Sequence, residues 1–212
     1  MIDSYTLLGR PGTGSGVCEV VLALSGLPYT LKDIDKLPDG SAPDELLAIN
    51  PLGQVPVLIL PDGSVMTESA AIAMHIADLS LDRKLAPKVG DPDRAAYLRL
   101  MVFMAANNYM TDLRYFYSDR YSTDPEHADA IKAKAVEDQA RNWRVLEQAV
   151  NAHGLLVGNA LSAADIYLAM LVSWVDDQSE FAVRYPRLSA IASRMGQDPA
   201  IRSVWLRHGI AA

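Results

Sequence analysis

The chain has 212 residues, half of them hydrophobic, which suffices for one large or two modest folded domains and excludes a disordered chain. The formal net charge of −7, with no block of Lys and Arg residues, argues against a nucleic acid or an anionic membrane as partner. A single cysteine cannot form an internal disulfide, no apolar run approaches the ~20 residues of a membrane span, and the N-terminus has no signal-like pattern, so we expect a cytoplasmic protein.

The first 80 residues alternate between short strand-like runs and helical runs. We predict strands at residues 5–8, 29–34, 57–60 and 64–66, and helices at 15–25, at 44–49 and from residue 69. The order is therefore βαβαββα. A strand-helix-strand crossover followed by an antiparallel hairpin and a helix predicts an α/β domain with a mixed sheet.

A loop rich in glycine separates the first strand from the first helix, at residues 9–18. Glycine allows close backbone approach, and the loop places the hydroxyls of Thr13 and Ser15 at a helix N-terminus. The positive end of the helix dipole favours an anion at that position. The loop is therefore a candidate site for stabilising an anion.

The run of residues 50–79 places a proline, a hairpin and a helix start in one short unit. Pro56 donates no hydrogen bond to a sheet, so it belongs at a strand start or a turn and leaves nearby backbone free for a ligand. Residues 61–63 are turn residues, and the hairpin leads into a helix at Glu68-Ser69. The unpaired amides of a helix start can hold a carboxylate while Glu68 receives an ammonium, so this unit suits an amino-acid end group.

The pattern changes near residue 80, after which only helices are predicted. Residues 81–90 are polar with a proline and a glycine, which is typical of a linker, and residues 91–212 form an all-α domain. Asp91-Pro92 and Asp124-Pro125 mark starts of two long helices that end near Tyr121 and Gly154. Ser162 and Asp165 form a capping box for a third helix, and further helices follow at 187–195 and 199–208.

These motifs resemble those of the glutathione S-transferase family. The resemblance rests on NPLGQVPVL at residues 50–58, TES at 67–69 and the Gly158…Ser162-x-x-Asp165 capping motif. It implies a thioredoxin-like first domain, followed by the helical domain. It also implies glutathione as co-substrate, with a cis-Pro56 presenting backbone to its cysteinyl part. Gln54 and Val55 would hold the middle of the tripeptide, and Glu68 and Ser69 its γ-glutamyl end.

The same resemblance nominates residues for the sulfur. Counting back from residues 26–29, Ser15 matches the serine of the serine-type classes, and Thr13 is the second choice. Gly9 stands where the tyrosine-type classes carry their catalytic tyrosine, and Gly14 stands where the cysteine-type members carry their nucleophile. Tyrosine-type and mixed-disulfide chemistry are therefore disfavoured. Arg10 could contact glutathione or be a solvated loop residue.

The remaining candidates are weaker. Cys18 lies on an apolar helix and is interpreted as a small core residue rather than a nucleophile. Asn108 and Tyr115 are chosen for the second-substrate side from the mixed face of the first long helix, most of which is expected to be core or dimer contact. No metal is expected, because the histidines at positions 75, 127, 153 and 208 have no ligand spacing and are interpreted as surface or helix-end residues.

The resemblance implies a homodimeric glutathione transferase that adds the glutathione thiolate to a small electrophile, a detoxification chemistry. Two alternatives stay open. One is a glutathione-binding interaction or stress module without useful turnover, which would keep the same recognition residues. The other keeps the enzyme but changes the reaction to glutathione-dependent isomerisation, dehalogenation or peroxide reduction. Only the second-substrate pocket would distinguish those reactions.

Overall fold

The computed structural model describes residues 4–81 and 83–210. Its first part contains a sheet of four strands in the order β2-β1-β3-β4. The strands are β1 (Tyr5–Gly9), β2 (Tyr29–Asp33), β3 (Val57–Ile59) and β4 (Val65–Met66). β1 pairs in parallel with β2 and antiparallel with β3, and β3 pairs antiparallel with β4. The predicted mixed sheet is confirmed.

Three helices accompany this sheet, namely α1 (Ser15–Ser25), α2 (Asp44–Leu47) and α3 (Ser69–Leu79). α1 ends at Gly26, whose φ of 74° is a left-handed conformation that glycine adopts without a side-chain clash. α1 is apolar on nearly all sides because it packs against α3 and also against two helices of the second part, Ala163–Val172 and Pro199–Arg207. The element order is the thioredoxin-like βαβαββα order that the sequence predicts.

Helices and the loops between them make up the described residues of the second part. Its α-helices are α4 (Arg94–Phe103), α5 (Met110–Phe116), α6 (Ala128–Ala149), α7 (Ala163–Val172), α8 (Gln178–Arg184), α9 (Pro186–Gln197) and α10 (Pro199–Arg207). A π-helical segment, Met104–Tyr109, joins α4 to α5, and two short 3₁₀ helices, Ser118–Tyr121 and Pro125–His127, precede α6. The predicted all-α second domain is confirmed.

Helix boundaries differ from the prediction in several places. The first long helix stops at Phe116 before a 3₁₀ turn, and α6 stops at Ala149 rather than near Gly154. Asp91 does not cap α4. Its side chain accepts from the Asp93 amide at 2.9 Å, and the helix begins at Arg94. α8 was not predicted, because its seven residues are too few to show a clear period.

The segment between α3 and α4 contains no helix or strand among its described residues. The sequence predicts a linker at 81–90. Asp82 at its start lies outside the described residues, as does the end of the predicted helical domain at 211–212. The two parts are joined by more than this segment, because the guanidinium of Arg94 donates to Asp78 at the end of α3 at 2.5 and 2.7 Å. The domain limits stay predictions.

One hydrophobic core runs through both parts of the chain. It extends from Leu7 of β1 and Val17 of α1 to Ile166 of α7 and Trp205 of α10, all of them fully or almost fully buried. The other face of the sheet covers a small cluster built from Leu8, Ile34, Leu46 and Val57. The junction of the two parts is therefore packed, and it brings the start of α1 close to α5 and α7.

Candidate functional site

A cleft of about 150 Å³ lies between the start of β3, the start of α3 and the helical part. Five residues nominated from the sequence line it, namely Gln54, Val55, Pro56, Glu68 and Ser69. The Val55–Pro56 peptide bond is cis, as the resemblance implies. Two groups of residues that are 12 to 15 positions apart in the sequence thus meet at one surface, because the β3–β4 hairpin folds them together. We call this surface the β3–α3 cleft.

Asn50, which is not among the residues nominated from the sequence, holds the backbone before Pro56. The Asn50 side chain donates to the Gln54 carbonyl at 2.8 Å and accepts from the Leu52 amide at 3.2 Å. The turn also requires glycine at position 53, where φ is 62° and a Cβ would lie 2.7 Å from the Ala42 Cβ. Asn50, which is buried and also lines the cleft, fixes where Gln54 and its neighbours present their backbone.

Glu68 stands in an unusual backbone conformation at the start of α3. Its φ of 70° makes it the one non-glycine residue with positive φ among the described residues. Such a conformation is costly for a side chain longer than hydrogen and is concentrated at functional sites. It leaves the Glu68 side chain exposed beside the first free amides of α3. A carboxylate and free amides at one point can bind an ammonium and a carboxylate together.

Ser69 connects the cleft to the helical part. Its hydroxyl lies 3.0 Å from the Tyr167 hydroxyl of α7. Burial raises the pKa of Tyr167, and the bond to Ser69 acts against this without reversing it, so the phenol stays protonated. Since Tyr167 is almost fully buried, this contact ties the Ser69 side chain, and with it the start of α3, to the helical part.

The start of α1 is built from a compact hydroxyl cluster. Ser15 Oγ accepts from the Arg10 amide at 3.0 Å and lies 2.8 Å from the Arg10 carbonyl. Thr13 Oγ1 lies 2.7 Å from the same carbonyl and 2.8 Å from Ser15 Oγ. Ser15 is fully buried, whereas Thr13 is partly exposed. The structure thus brings both nominated hydroxyls together, with Thr13 nearer to solvent.

Arg10 faces away from the clefts that its neighbours line. Its Nε donates to the Ile34 carbonyl at 2.9 Å, and its Nη2 is buried without a partner among the described residues. Arg10 lines neither the β3–α3 cleft nor the cavity described next. Its predicted contact with glutathione stays a prediction.

A second cavity, of about 390 Å³, opens beside the loop before α1, and we call it the Thr13 cavity. It is lined by Gly12 and Thr13 of the loop, by residues from the end of the π-helical segment to just beyond α5, and by the segment after α7: Tyr109, Asp112, Leu113, Phe116, Tyr117, Ser173, Trp174, Val175 and Asp176. Tyr109 and Leu113 line both this cavity and the β3–α3 cleft. The two spaces therefore adjoin at Tyr109.

The two residues nominated for the second substrate lie outside the Thr13 cavity. Tyr115 donates to Asp176 at 2.6 Å and lines a neighbouring pocket between α5, α6 and α8. Asn108 is buried in the π-helical segment, and neither of its side-chain polar atoms has a partner among the described residues. Their predicted role stays a prediction. Of the residues that line the Thr13 cavity, the sequence nominates Thr13 alone, and for the sulfur rather than for the second substrate.

The loop before α1 is held from the far end of the chain. His208, at the end of α10, is buried; its Nδ1 accepts from the Gly12 amide at 3.3 Å and its Nε2 lies 2.9 Å from Glu19. His208 lies at a helix end, as predicted. It is not a surface residue, because α10 packs it against α1. Arg207 completes the contact by bonding Glu19 at 2.6 Å and Asp33 at 2.8 Å.

Cys18 lies behind the site rather than in it. It is fully buried between α1 and α3, with its sulfur 3.5 Å from the Ser69 carbonyl. Burial raises the pKa of the thiol far above its ordinary value, so it stays protonated. A buried neutral thiol is a packing group, since nucleophilic cysteines require the thiolate.

Two searches concern other kinds of function. Within residues 4–81 and 83–210, no three or more His, Cys, Asp and Glu side chains gather as a metal site. No helix in the described part is long and apolar enough to cross a bilayer.

Comparison with known proteins agrees with this architecture. Residues 16–79 match the model of the glutathione S-transferase N-terminal domain, and residues 111–207 match the model of the C-terminal domain. The solved structure of a sphingomonad glutathione S-transferase complexed with glutathione superposes with a TM-score of 0.80 at 28% identity, covering 97% of this chain and 100% of that one.

Curated relatives extend over nearly the whole chain. The uncharacterized GST-like protein YncG of Escherichia coli (strain K12) is 34% identical over 99% of this chain and 100% of its own length. The glutathione S-transferase GstA of Escherichia coli O157:H7 is 26% identical, covering 96% of this chain and 98% of its own. Other relatives are named maleylacetoacetate isomerases. Sequence, fold and site together place the chain in the glutathione S-transferase family.

Proposed function

We propose that this protein is a cytoplasmic glutathione transferase that binds glutathione in the β3–α3 cleft, ionises its thiol at the start of α1 and adds the thiolate to a small electrophile. The observation that carries the proposal is the convergence of Gln54, Val55, Pro56, Glu68 and Ser69 on one cleft. Tyr109 also lines this cleft and lies against Gly14 at the start of α1. The named transferase relatives and the glutathione-bound sphingomonad structure support it.

The cleft has groups for each part of the tripeptide. Glu68 offers a carboxylate to the γ-glutamyl ammonium, and the α3 amides at Ser69 offer donors to the γ-glutamyl carboxylate. Gln54 and Val55 present backbone to the cysteinyl part. Bound in this way, glutathione would extend from α3 toward α1, so its thiol would meet the positive end of the α1 dipole.

The α1 end can favour the thiolate without a metal. A thiol titrates near 8.5, and lowering that by two units requires ~2.7 kcal/mol of preference for the thiolate. A hydrogen bond to a charged partner contributes ~1.5–3 kcal/mol, and a favourable helix terminus adds up to ~2 kcal/mol. One hydroxyl donor with the helix end therefore suffices. The sequence nominates Ser15, with Thr13 as the second choice, and this assignment stays a prediction.

The Thr13 cavity is the space proposed for the second substrate. It adjoins the α1 start and has aromatic walls from Phe116, Tyr117 and Trp174, which suit an apolar or aromatic electrophile. In an addition, the sulfur lone pair forms the new S–C bond while the displaced electron pair moves to an electronegative atom or leaving group of the electrophile. Isomerisation by the same thiolate differs in releasing glutathione again, and product analysis separates the two.

The proposed homodimer rests on the family resemblance. Sedimentation velocity measures it directly, because the chain mass is 23.1 kDa and a dimer has twice that mass. A monomer at the concentrations used for activity measurements would remove the dimer from the proposal without affecting the glutathione site.

Glu68 gives the sharpest test of the recognition model. Glu68→Gln keeps the side-chain shape and removes the charge. We expect glutathione to bind roughly 10- to 100-fold more weakly to this variant, because a hydrogen bond to a charged group contributes ~1.5–3 kcal/mol. Calorimetric titration measures this. A glutathione analogue without the γ-glutamyl ammonium should bind the wild-type protein and Glu68→Gln with similar affinity.

The matched control is Glu45→Gln, because Glu45 is an exposed carboxylate paired with Lys32 at the surface, away from the cleft. Its glutathione affinity should equal that of the wild-type protein. An unchanged affinity in Glu68→Gln, or an equal loss for the analogue without the ammonium, would reject the assigned role of Glu68.

A further inference from the structure

Tyr109 stands at the junction of the two spaces. It is the last residue of the π-helical segment Met104–Tyr109 and lines both the β3–α3 cleft and the Thr13 cavity. Its ring packs edge-on against Trp174, with centroids 5.2 Å apart and planes at 79°. This packing fixes the ring of a side chain that reaches from the helical part to the start of α1.

The Tyr109 hydroxyl occupies the place of the side chain that Gly14 lacks. A Cβ built on Gly14 would lie 2.9 Å from the Tyr109 oxygen and 3.1 Å from its Cε2. Gly14 has φ of −60°, which any residue can adopt, so the backbone does not require glycine here. The close approach of the phenol does. A side chain from the helical part therefore adds a third hydroxyl at the α1 N-terminus, beside those of Thr13 and Ser15.

The hydroxyl is neutral and has a proton to donate. Burial raises the pKa of Tyr109 to about 12, against the smaller opposite effect of the Gly14 amide that faces its oxygen. A negative charge on Cys18, Asp112 or Tyr117 nearby would raise the pKa of Tyr109 further. No acceptor for the Tyr109 proton is found among the described residues, so this proton is free to bond a ligand. The Ser15 and Thr13 hydroxyls, in contrast, both donate to the Arg10 carbonyl, at 2.8 and 2.7 Å.

We infer that the Tyr109 hydroxyl, rather than that of Ser15 or Thr13, donates the hydrogen bond that stabilises the glutathione thiolate. The inference rests on the proposed function and assigns the thiolate donor within that site. The phenol keeps its own proton, and the proton of the thiol leaves to solvent water. Ser15 and Thr13 then act as positioning residues, which hold the loop through Arg10 so that the α1 amides and the phenol face the same sulfur.

Tyr109→Phe tests this assignment by removing one oxygen. The absorbance of the bound thiolate, followed against pH at saturating glutathione, gives the pKa of the bound thiol. We expect that pKa to rise by about one to two units in Tyr109→Phe, which corresponds to the loss of a hydrogen bond to a charged group. The rate of addition to an aromatic electrophile should fall about tenfold or more at neutral pH and recover toward the wild-type rate above the raised pKa.

Three further variants make the test specific. Tyr121→Phe removes a hydroxyl from an exposed tyrosine outside both spaces and should leave the pKa of the bound thiol unchanged. Ser15→Ala and Thr13→Ala should shift that pKa by less than half a unit. Gly14→Ala displaces the phenol with a methyl group while keeping all hydroxyls, so it should raise the pKa as Tyr109→Phe does, and it remains informative if Tyr109→Phe does not fold.

The outcomes separate this inference from the proposed function. A lowered thiol pKa in the wild-type protein that persists in Tyr109→Phe and Gly14→Ala, or that is lost in Ser15→Ala, overturns the assignment to Tyr109 and leaves the transferase proposal standing. Absence of glutathione binding by the wild-type protein overturns both. A raised pKa confined to Tyr109→Phe and Gly14→Ala supports the assignment.

Discussion

The buried carboxyl of Asp112 lies in an environment that opposes its charge. Burial raises the pKa of Asp112 to about 7, and the hydrogen bond from Gln139 at 2.7 Å lowers it only in part. Its second oxygen, Oδ2, has no partner among the described residues. Because Asp112 also lines the Thr13 cavity, its charge state sets the polarity of one wall of the proposed second-substrate site.

Asp112→Asn should therefore stabilise the protein in a pH-dependent way. The folded protein holds the Asp112 proton up to about pH 7 and the unfolded chain only to about 3.9, so the stability from this residue is complete below about pH 4 and is lost as the pH rises toward 7. We expect Asp112→Asn to raise the free energy of unfolding by about 1–3 kcal/mol at pH 8 and by much less at pH 4.

Urea denaturation at the two pH values measures the Asp112 effect, with Asp119→Asn as a control in an exposed turn. The asparagine oxygen can still accept from Gln139, so the geometry is preserved. An equal difference between variant and wild type at pH 4 and pH 8 would show that folding does not raise the pKa of Asp112 and would reject the interpretation.

At the residue scale, the sequence predicted the local part of the site well. Gln54, Val55, Pro56, Glu68 and Ser69 fall within 16 consecutive residues, and one hairpin brings them together, so their proximity follows from short-range structure. Tyr109 lies on the same mixed helix face, from which the sequence nominates Asn108 and Tyr115 instead. Its contact with Gly14 joins distant parts of the chain, and helical periodicity alone does not show which face meets the other domain.

At the element scale, the start of α7 is the helix start that the sequence predicted most fully. Asp165 Oδ2 accepts from the Ser162 amide at 2.9 Å and from its hydroxyl at 2.8 Å, and Oδ1 accepts from the Leu156 amide at 2.8 Å. Asp165 is completely buried. It therefore ties the preceding loop to the helix that runs through the core.

We expect two different costs from the two halves of this capping box. Asp165→Ala leaves two buried amides without partners and should lower the free energy of unfolding by about 3 kcal/mol, whereas Ser162→Ala removes one cap hydroxyl and should cost about 1 kcal/mol. Equilibrium unfolding in urea measures both. Equal losses in the two variants would contradict the dominant role of Asp165.

Sequence signals at other helix ends were less complete. Asp124 caps a 3₁₀ turn before α6 by accepting from the Glu126 amide at 3.0 Å, as its Asp-Pro pair predicts, although the α-helix starts only at Ala128. The π-helical segment at Met104–Tyr109 left no sequence signal, because one extra residue in a turn does not change a short apolar pattern. That segment carries Tyr109, so the missed element and the missed residue coincide.

At the scale of the whole molecule, α10 ties the end of the chain to the loop before α1. Burial raises the pKa of Glu19, but the bonds from His208 and Arg207 outweigh burial and leave the pKa below its ordinary value. A carboxylate with a lowered pKa stabilises the fold above its unfolded pKa of about 4.3, and this stability is lost as the pH falls through the folded pKa.

Glu19→Gln should therefore lower the free energy of unfolding by about 2 kcal/mol at pH 7, with the difference shrinking below pH 4 as the wild-type carboxylate takes up its proton. Glu45→Gln, which breaks an exposed ion pair, should change stability by less than about 0.5 kcal/mol. Denaturation curves at pH 7 and pH 3.5 provide the comparison. A Glu19→Gln protein as stable as the wild type at pH 7 would show that the tie contributes little.

The contact between Glu19 and the end of α10 could not be predicted from the sequence. The order of elements, the mixed sheet and the helical second part all follow from local patterns and from the family resemblance. The Glu19–Arg207 and Glu19–His208 contacts join residues 188 and 189 positions apart, and nothing in the local sequence around His208 distinguishes a buried histidine from an exposed one.

The central claim is that the protein binds glutathione and ionises its thiol at the start of α1. A titration of the ultraviolet absorbance of the bound thiolate against pH, with the wild-type protein and saturating glutathione, tests it directly. The account predicts saturable binding and a thiol pKa at least one to two units below the ordinary value of about 8.5. Binding with an unshifted pKa, or no binding at all, would contradict it.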